Sequence, residues 1–498
     1  MRFPTPAAAA VLALWACSSN DTPNNCKPCK ADGDCGGGQV CSNGRCATTS
    51  SCAPPGSPTF AAPSASGPSS DPGCVRGVVQ QSSASTQKLG SHTVGEVVTF
   101  DVPAGTGSLT IFSQETSSTP IDSIILNGQT IGNSVVPTGL RDPAGNTVYD
   151  DSSAPPPDPS GQTSFYAAES VSTGTMTLPN TTPFLHQVAG NCMAAGRWSM
   201  VVNDFAYECT ATTGCSGGSK TGTYDVQVLT KPGMPAATGT VDVAFYLVGT
   251  ALTSATAATD PGVARMVQSL GKLYAGAGLC LGTVTFFDVP AWAKTKYGSG
   301  LSVDNTGPCS DLSQMFTLSA PGNQLNFFLV NDLVSTSNNT TTHVVGIDGT
   351  IPGPSTIGGT IHSGAAVVAA SLGTTGCGPT LDPFNCGSDE VAYIAAHEGG
   401  HWMGLYHTTE VFGDSFDPIQ DTGTCPCSSC APAGSSRSNC VTNNSSTTNP
   451  TRMSSLWCTA SSSCSGGDNL MFWVLGAASK GTLSADQGMA IRSNPAVH

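Results

Sequence analysis

Short apolar runs broken by turn residues dominate the first half of the chain. GEVVTFDVP (95–103), GSLTIFSQ (107–114), SIILNGQTI (123–131), RWSMVVNDF (197–205) and GTYDVQVLT (222–230) read as half-buried strands bounded by Gly, Pro, Asn and Asp. A succession of such strands predicts a β-sandwich over residues 75–233. From Gly239 the pattern changes. TVDVAFYLVG reads as a strand, and PGVARMVQSLGKLYAGAG carries apolar residues three and four apart, the spacing of a helix face. TVTFFDVP, LNFFLVNDL, HVVGIDG and AAVVAAS then read as further strands, so an α/β (α+β) domain is expected over 239–498.

Before residue 75 the periodicity disappears. Residues 53–74 are Pro-, Ser-, Ala- and Gly-rich and read as a spacer. Residues 26–52 hold six cysteines in 27 positions with almost no large apolar side chain, so this module must be stapled by disulfides. Cys26 and Cys29 have the spacing that opens a zinc ribbon, but no second pair follows at ribbon distance. The chain of 498 residues is therefore expected to be multidomain: an N-terminal disulfide-rich module, a linker, a β-sandwich and an α/β domain.

Composition sets the compartment. Charged residues are only 10% of the chain and the formal net charge is −15, which leaves no basic face for phosphates and excludes nucleic acid as a partner. Residues 1–16 have the short apolar run of a signal peptide, and Leu14-Trp15-Ala16-Cys17 resembles the bacterial lipobox, whose cysteine is acylated after cleavage. Ser18 after that cysteine resembles the outer-membrane sorting pattern. With Cys17 lipidated, twenty of the 21 cysteines remain, an even number suited to disulfides in an oxidising compartment. Cys74 is expected in a disulfide on the same arithmetic, and the cluster from Cys425 to Cys464 is read as disulfides bracing a long loop. The chain is thus expected on the bacterial outer membrane or cell surface as a lipoprotein, or else secreted.

The chemistry is concentrated in HEGGHWMGLYH, residues 397–407, which holds three of the eight histidines. The surrounding SDEVAYIAAHEGGHWMG reads as a helix: Ser388 as N-cap, Asp389 and Glu390 in the first turn, and Val391, Ile394 and Ala395 on the apolar face. His397 and His401 are four apart and share a face, Gly404 ends the helix, and His407 can return to supply a third nitrogen. Three imidazoles leave one position of a tetrahedral Zn2+ open, the catalytic arrangement, with Glu398 placed to handle a proton. A chance match to five fixed positions in a chain of this size is on the order of one in ten thousand, so catalytic zinc is the expected cofactor. Gly399 and Gly400 each cost a helix interior about 1 kcal/mol, which predicts that something approaches the helix closely there.

This motif resembles that of the metzincin zinc endopeptidases, and HEGGHWMGLYHTTE followed by DPIQDTGTCPC and DNLMFW is most similar to the pappalysin family. The resemblance covers residues 239–498. It implies that His397, His401 and His407 bind zinc, that Glu398 is general base and acid, and that Met471 forms a methionine turn beneath the metal. Met453 is the rival for that turn, and Trp473 stands where some metzincins carry a tyrosine. Asp414, Asp417 and Asp421 resemble a calcium-bearing loop of relatives, and a solvated loop explains them equally. LRDPAGNTVY, GRWSMVVND and GTYDVQVLT resemble sandwich domains that accompany secreted bacterial proteases, in which Asp142 and Asp204 would be turn formers or calcium ligands. The implied activity is hydrolysis of a protein or peptide substrate. The competing classes are an adhesion or binding lipoprotein with a vestigial protease domain, and a zinc amidase acting on peptidoglycan.

Acylation at roughly 0.8 kcal/mol per buried methylene would hold the protein on a membrane. The mature protein is therefore expected to partition into detergent, and Cys17→Ser to move it into the soluble fraction. Mass spectrometry that finds an unmodified N-terminus elsewhere makes it a secreted protein instead.

Overall fold

The structure is a computed structural model and describes residues 39–42, 45–48, 59–62, 64–71, 80–81, 86–116, 124–126, 129–131, 134–149, 173–210, 214–219, 223–233, 237–304, 310–337, 340–441 and 450–498. The signal peptide, Cys17, Cys74 and the cysteine-rich module apart from the paired strands Gln39–Ser42 and Arg45–Thr48 lie outside these residues, as does the Asp204 side chain. None of the described helices is long and apolar enough to cross a membrane. The chain is multidomain, with mixed sheets and helices.

Four of the five alternating runs of the first half form strands as read, whereas SIILNGQTI gives two short strands, Ile124–Leu126 and Gln129–Ile131, paired antiparallel with each other outside both sheets of the sandwich. Val97–Val102, Ser134–Arg141, Thr147–Tyr149, Gly196–Thr210 and Gly214–Ser219 make one antiparallel sheet, and Thr86–Thr93, Thr106–Glu115, Thr173–Leu178 and Thr223–Pro232 make another. Val98, Phe100 and Val102 alternate inward to meet Leu109, Ile111, Trp198 and Val228 in one core shared by the two sheets. The sequence reading missed the helix Thr182–Asn191, which opens on a proline in its first turn. Asp142 accepts hydrogen bonds from the Ala144 and Asn146 backbones and from the Asn146 amide, so it is a turn former.

The second half is built on a seven-stranded sheet. In chain order its strands are β1 (Thr59–Phe60), β2 (Ser64–Ala65), β3 (Gly239–Leu247), β4 (Leu279–Asp288), β5 (Gln324–Val330), β6 (Gly346–Asp348) and β7 (Ala365–Val368). Across the sheet the order is β6, β7, β5, β3, β4, then β1, with β2 also on β4. All pairings are parallel except that of β6, which runs antiparallel to β7 at the edge. From Val243 onward β3 is apolar without interruption because both faces are covered: Val243, Phe245 and Leu247 enter one core, and Ala244, Tyr246 and the following Val248 the other. The first core is closed by α1 (Pro261–Ala275) and α2 (Gly387–Trp402).

The stretch read as a free spacer is not free. Thr59–Phe60 and Ser64–Ala65 pair with β4, Phe60 packs against Phe286 with ring centroids 5.7 Å apart, and the Trp292 indole donates to the Pro68 carbonyl. Its strands escape periodicity analysis because each is only two residues long, too short to show a period. The sandwich is thus inserted between two parts of one sheet. It is tied to the second half by Thr182, whose hydroxyl donates to Asp486 (2.7 Å) and accepts from the Gln420 backbone (2.9 Å). Lys231 donates to the Arg492 and Asn494 carbonyls at the end of the helix α3 (Ala485–Ser493).

Candidate metal centre

The helix that carries the first two histidines is fixed before it reaches them. It begins at Gly387, two residues earlier than expected, with Cys386 rather than Ser388 at the N-cap. The Cys377–Cys386 disulfide sits at that cap, and Ser388 instead exchanges hydrogen bonds with the Gly373 backbone. Asp389 receives two hydrogen bonds from Arg265 on α1 (both 2.6 Å), one from Ser269 (2.5 Å) and one from the Asp382 backbone (2.8 Å). Burial alone would raise the Asp389 carboxyl, but these donors outweigh it and hold it below the usual carboxylate range.

The two glycines have a spatial reason. A Cβ on Gly399 would run into the Tyr274 hydroxyl and Leu325, from α1 and β5. A Cβ on Gly400 would lie 2.5 Å from the Met471 Sδ atom. The helix is therefore pressed between the sheet layer and the loop that holds Met471. Met453 lies elsewhere, in the disulfide-lined cluster with Cys425, Cys427, Cys440, Cys458 and Cys464, where its carbonyl accepts from the Trp473 indole. Four disulfides are made in this part of the chain: Cys377–Cys386, Cys425–Cys458, Cys427–Cys440 and Cys430–Cys464. The last three brace the long loop after His407 as expected.

Gly404, at φ +108°, then reverses the chain so that His407 returns to the helix face. The three Nε2 atoms converge to 3.2, 3.2 and 3.1 Å from one another. These are not hydrogen bonds, because each ring commits its Nδ1–H elsewhere: His397 to the Leu470 carbonyl (2.7 Å), His401 to the Leu405 carbonyl (2.7 Å) and His407 to the Glu410 carboxylate (3.0 Å). With Nδ1 the donor, each Nε2 offers a lone pair to a common point. Tetrahedral zinc with bonds of about 2.0–2.1 Å spaces its ligands about 3.3–3.4 Å apart, so the donor set fits that ion. The histidines are the one group of three or more such ligands that gathers among the described residues. Burial pushes the His397 imidazolium down to about 3 and His401 well below its ordinary value, which keeps both lone pairs free at neutral pH.

Glu398 is buried beside this trio. Burial and the neighbouring Asp348 carboxylate push its pKa well up, while the Asp348 N–H donates to it and works the other way. A divalent cation held by the histidines would pull the value down again. Asp348, the last residue of β6, is itself pushed up to about 7 by burial, with His407 opposing. Gly346 brings the same strand against the glutamate: a Cβ there would be 2.5 Å from Glu398 Oε1 and 2.6 Å from the Ile394 methyl. The histidines and Glu398 open onto a cavity of about 670 Å3, whose walls include Ile347, Phe384, Tyr393, Ile394, Trp473 and Leu475.

Asp414, Asp417 and Asp421 do not gather into a ligand group. Asp414 is exposed, Asp421 accepts from the Ser484 hydroxyl and the Asp486 backbone at the start of α3, and Asp417 accepts from the Thr422 hydroxyl. Two functional candidates escaped the sequence reading. Glu410 was within sight, three residues after His407, but Asp348 could be found only by knowing that β6 runs along the helix.

No family model matches the chain, and no characterised protein matches it. Among solved structures, a chaperone–substrate complex is similar at 13% identity and TM-score 0.22, over 60% of this chain and 39% of that one. A family two carbohydrate esterase from Cellvibrio japonicus is similar at 15% identity and TM-score 0.13, over 51% of this chain and 66% of the other. Likeness at this level carries no argument about fold or function.

The Glu410 contact has a measurable consequence. Removing such an outer partner costs metal affinity about 10–100-fold. Glu410→Gln is expected to weaken zinc binding by that factor in competition with a chelator, and an unchanged affinity would show that the His407 contact is incidental.

Proposed function

We propose that this chain is a zinc-dependent endopeptidase of metzincin type, exported and anchored by lipid at Cys17. The convergence of the His397, His401 and His407 Nε2 atoms beside Glu398 carries the reading. Met471 against Gly400 supports it, as does the return of His407 after the Gly404 turn. A polypeptide substrate is favoured by β6, which has a strand partner on one side only among the described residues and borders the cavity. An edge of that kind can take an extended peptide by backbone hydrogen bonds, leaving side chains to the cavity walls.

Zinc at this site would polarise the peptide carbonyl and make water acidic enough to lose a proton near neutral pH. The rest falls to the protein. Glu398 takes that proton and returns it to the amide nitrogen as the carbon–nitrogen bond breaks. The Nδ1 bonds to Leu470, Leu405 and Glu410 hold the rings so that no ligand must reorient. The disulfide-braced loop and Trp473 wall one side of the cavity. Calcium is proposed only as an additional ligand of the 414–421 loop, where Asp417 keeps one carboxylate oxygen without a hydrogen bond.

Because Glu398 handles protons rather than metal, Glu398→Ala is expected to keep stoichiometric zinc and lose casein cleavage by about 10²–10⁴-fold, whereas His401→Ala loses both. Full activity in Glu398→Ala would overturn the assignment.

A further inference from the structure

Glu398 is not the sole carboxylate at this site. Asp348 ends the edge strand β6 and lines the same cavity, and its own N–H donates to Glu398. Its position is rigid, since Gly346, two residues earlier, leaves no space between β6 and the helix. One oxygen is occupied: the carboxylate accepts from its own backbone N–H and, more weakly, from that of Thr350. The other, Oδ2, is closed off from solvent and has no hydrogen-bond partner among the described residues. Among the described residues no lysine or arginine forms an ion pair with it; its titratable neighbours are Glu398 and His407. A buried carboxylate oxygen without a donor is costly, so a ligand that brings an N–H, and preferably a positive charge, would relieve it.

Peptide hydrolysis produces such a group at this place, and the inference rests on that proposed reaction. The nitrogen to which Glu398 delivers its proton must come within hydrogen-bond reach of the Glu398 carboxylate. Asp348 is bonded to that same carboxylate. We propose that Asp348 is a further catalytic residue, whose carboxylate turns to bring its free oxygen into the cavity, receives the amino group released from the scissile bond and holds it as an ammonium. The atoms balance as follows. Water's oxygen bonds to the carbonyl carbon, and the carbon–nitrogen bond breaks with its electron pair on nitrogen. That nitrogen keeps its own hydrogen, takes one water proton through Glu398, and takes the second from the new carboxylic acid. The products are a carboxylate and an ammonium. Beside a divalent cation the ammonium needs a negative group of its own, and Asp348 supplies one.

The test uses the full zinc-loaded chain and a random-sequence pentapeptide amide library, offered with free α-amino groups or N-acetylated, and reads retention by ultrafiltration and mass spectrometry. The wild-type protein is expected to retain the free-amine library at least about tenfold better. Asp348→Asn keeps the backbone N–H and the side-chain size; it should abolish the discrimination, leave zinc content unchanged, and lower kcat on casein with little change in KM. Equal retention of both libraries by the wild type overturns the proposal without any variant, and so does a variant that keeps both the discrimination and kcat. Failure of the protease reading looks different, since the wild type would then hold zinc but cleave no protein.

Discussion

Everything at the metal centre depends on how closely the helix Gly387–Trp402 is packed at its glycine pair. On one side the Tyr274 hydroxyl and Leu325 leave no space for a Cβ on Gly399; on the other, Met471 leaves none on Gly400. The helix is therefore fixed in depth and rotation by the sheet layer and the Met471 loop together. Once it is fixed, His397 meets the Leu470 carbonyl of that same loop, and His401 meets the Leu405 carbonyl just beyond the helix end. Helix stability lost at two glycines, about 1 kcal/mol each, is exchanged for a site whose ligands are oriented in advance.

Much of this was legible in the sequence because it is local. The strands of the sandwich, the strand and helix after Gly239, and the spacing of His397, His401 and His407 follow from side-chain period and a glycine turn, each decided within a few residues. Even the demand for a close neighbour at Gly399 and Gly400 could be read from their cost. What escaped was non-local. The two strands at 59–65 are too short and polar to show a period, and they exist because β4 offers an open edge. The helix cap moved from Ser388 to Cys386, where a disulfide and the Gly373 backbone take part, neither visible in a capping rule. Asp348 lies about fifty residues before the motif, and only the antiparallel edge strand brings it to Glu398.

The site's electrostatics follow from the same packing. Burial keeps His397 and His401 neutral and ready to donate electron pairs, while it drives protons onto Glu398 and Asp348 in the absence of a cation. A metal ion would reverse the second effect and exploit the first, so the constellation is self-consistent as a candidate metal centre. The cysteines near the site are committed to disulfides, which removes sulfur from the donors available to a metal.

The most direct test of the account is zinc X-ray absorption on the purified full-length protein. It predicts one zinc per chain with three nitrogen neighbours at about 2.0–2.1 Å and one further light atom. A sulfur shell at about 2.3 Å, or a protein that holds no zinc after exposure to it, would contradict the central claim.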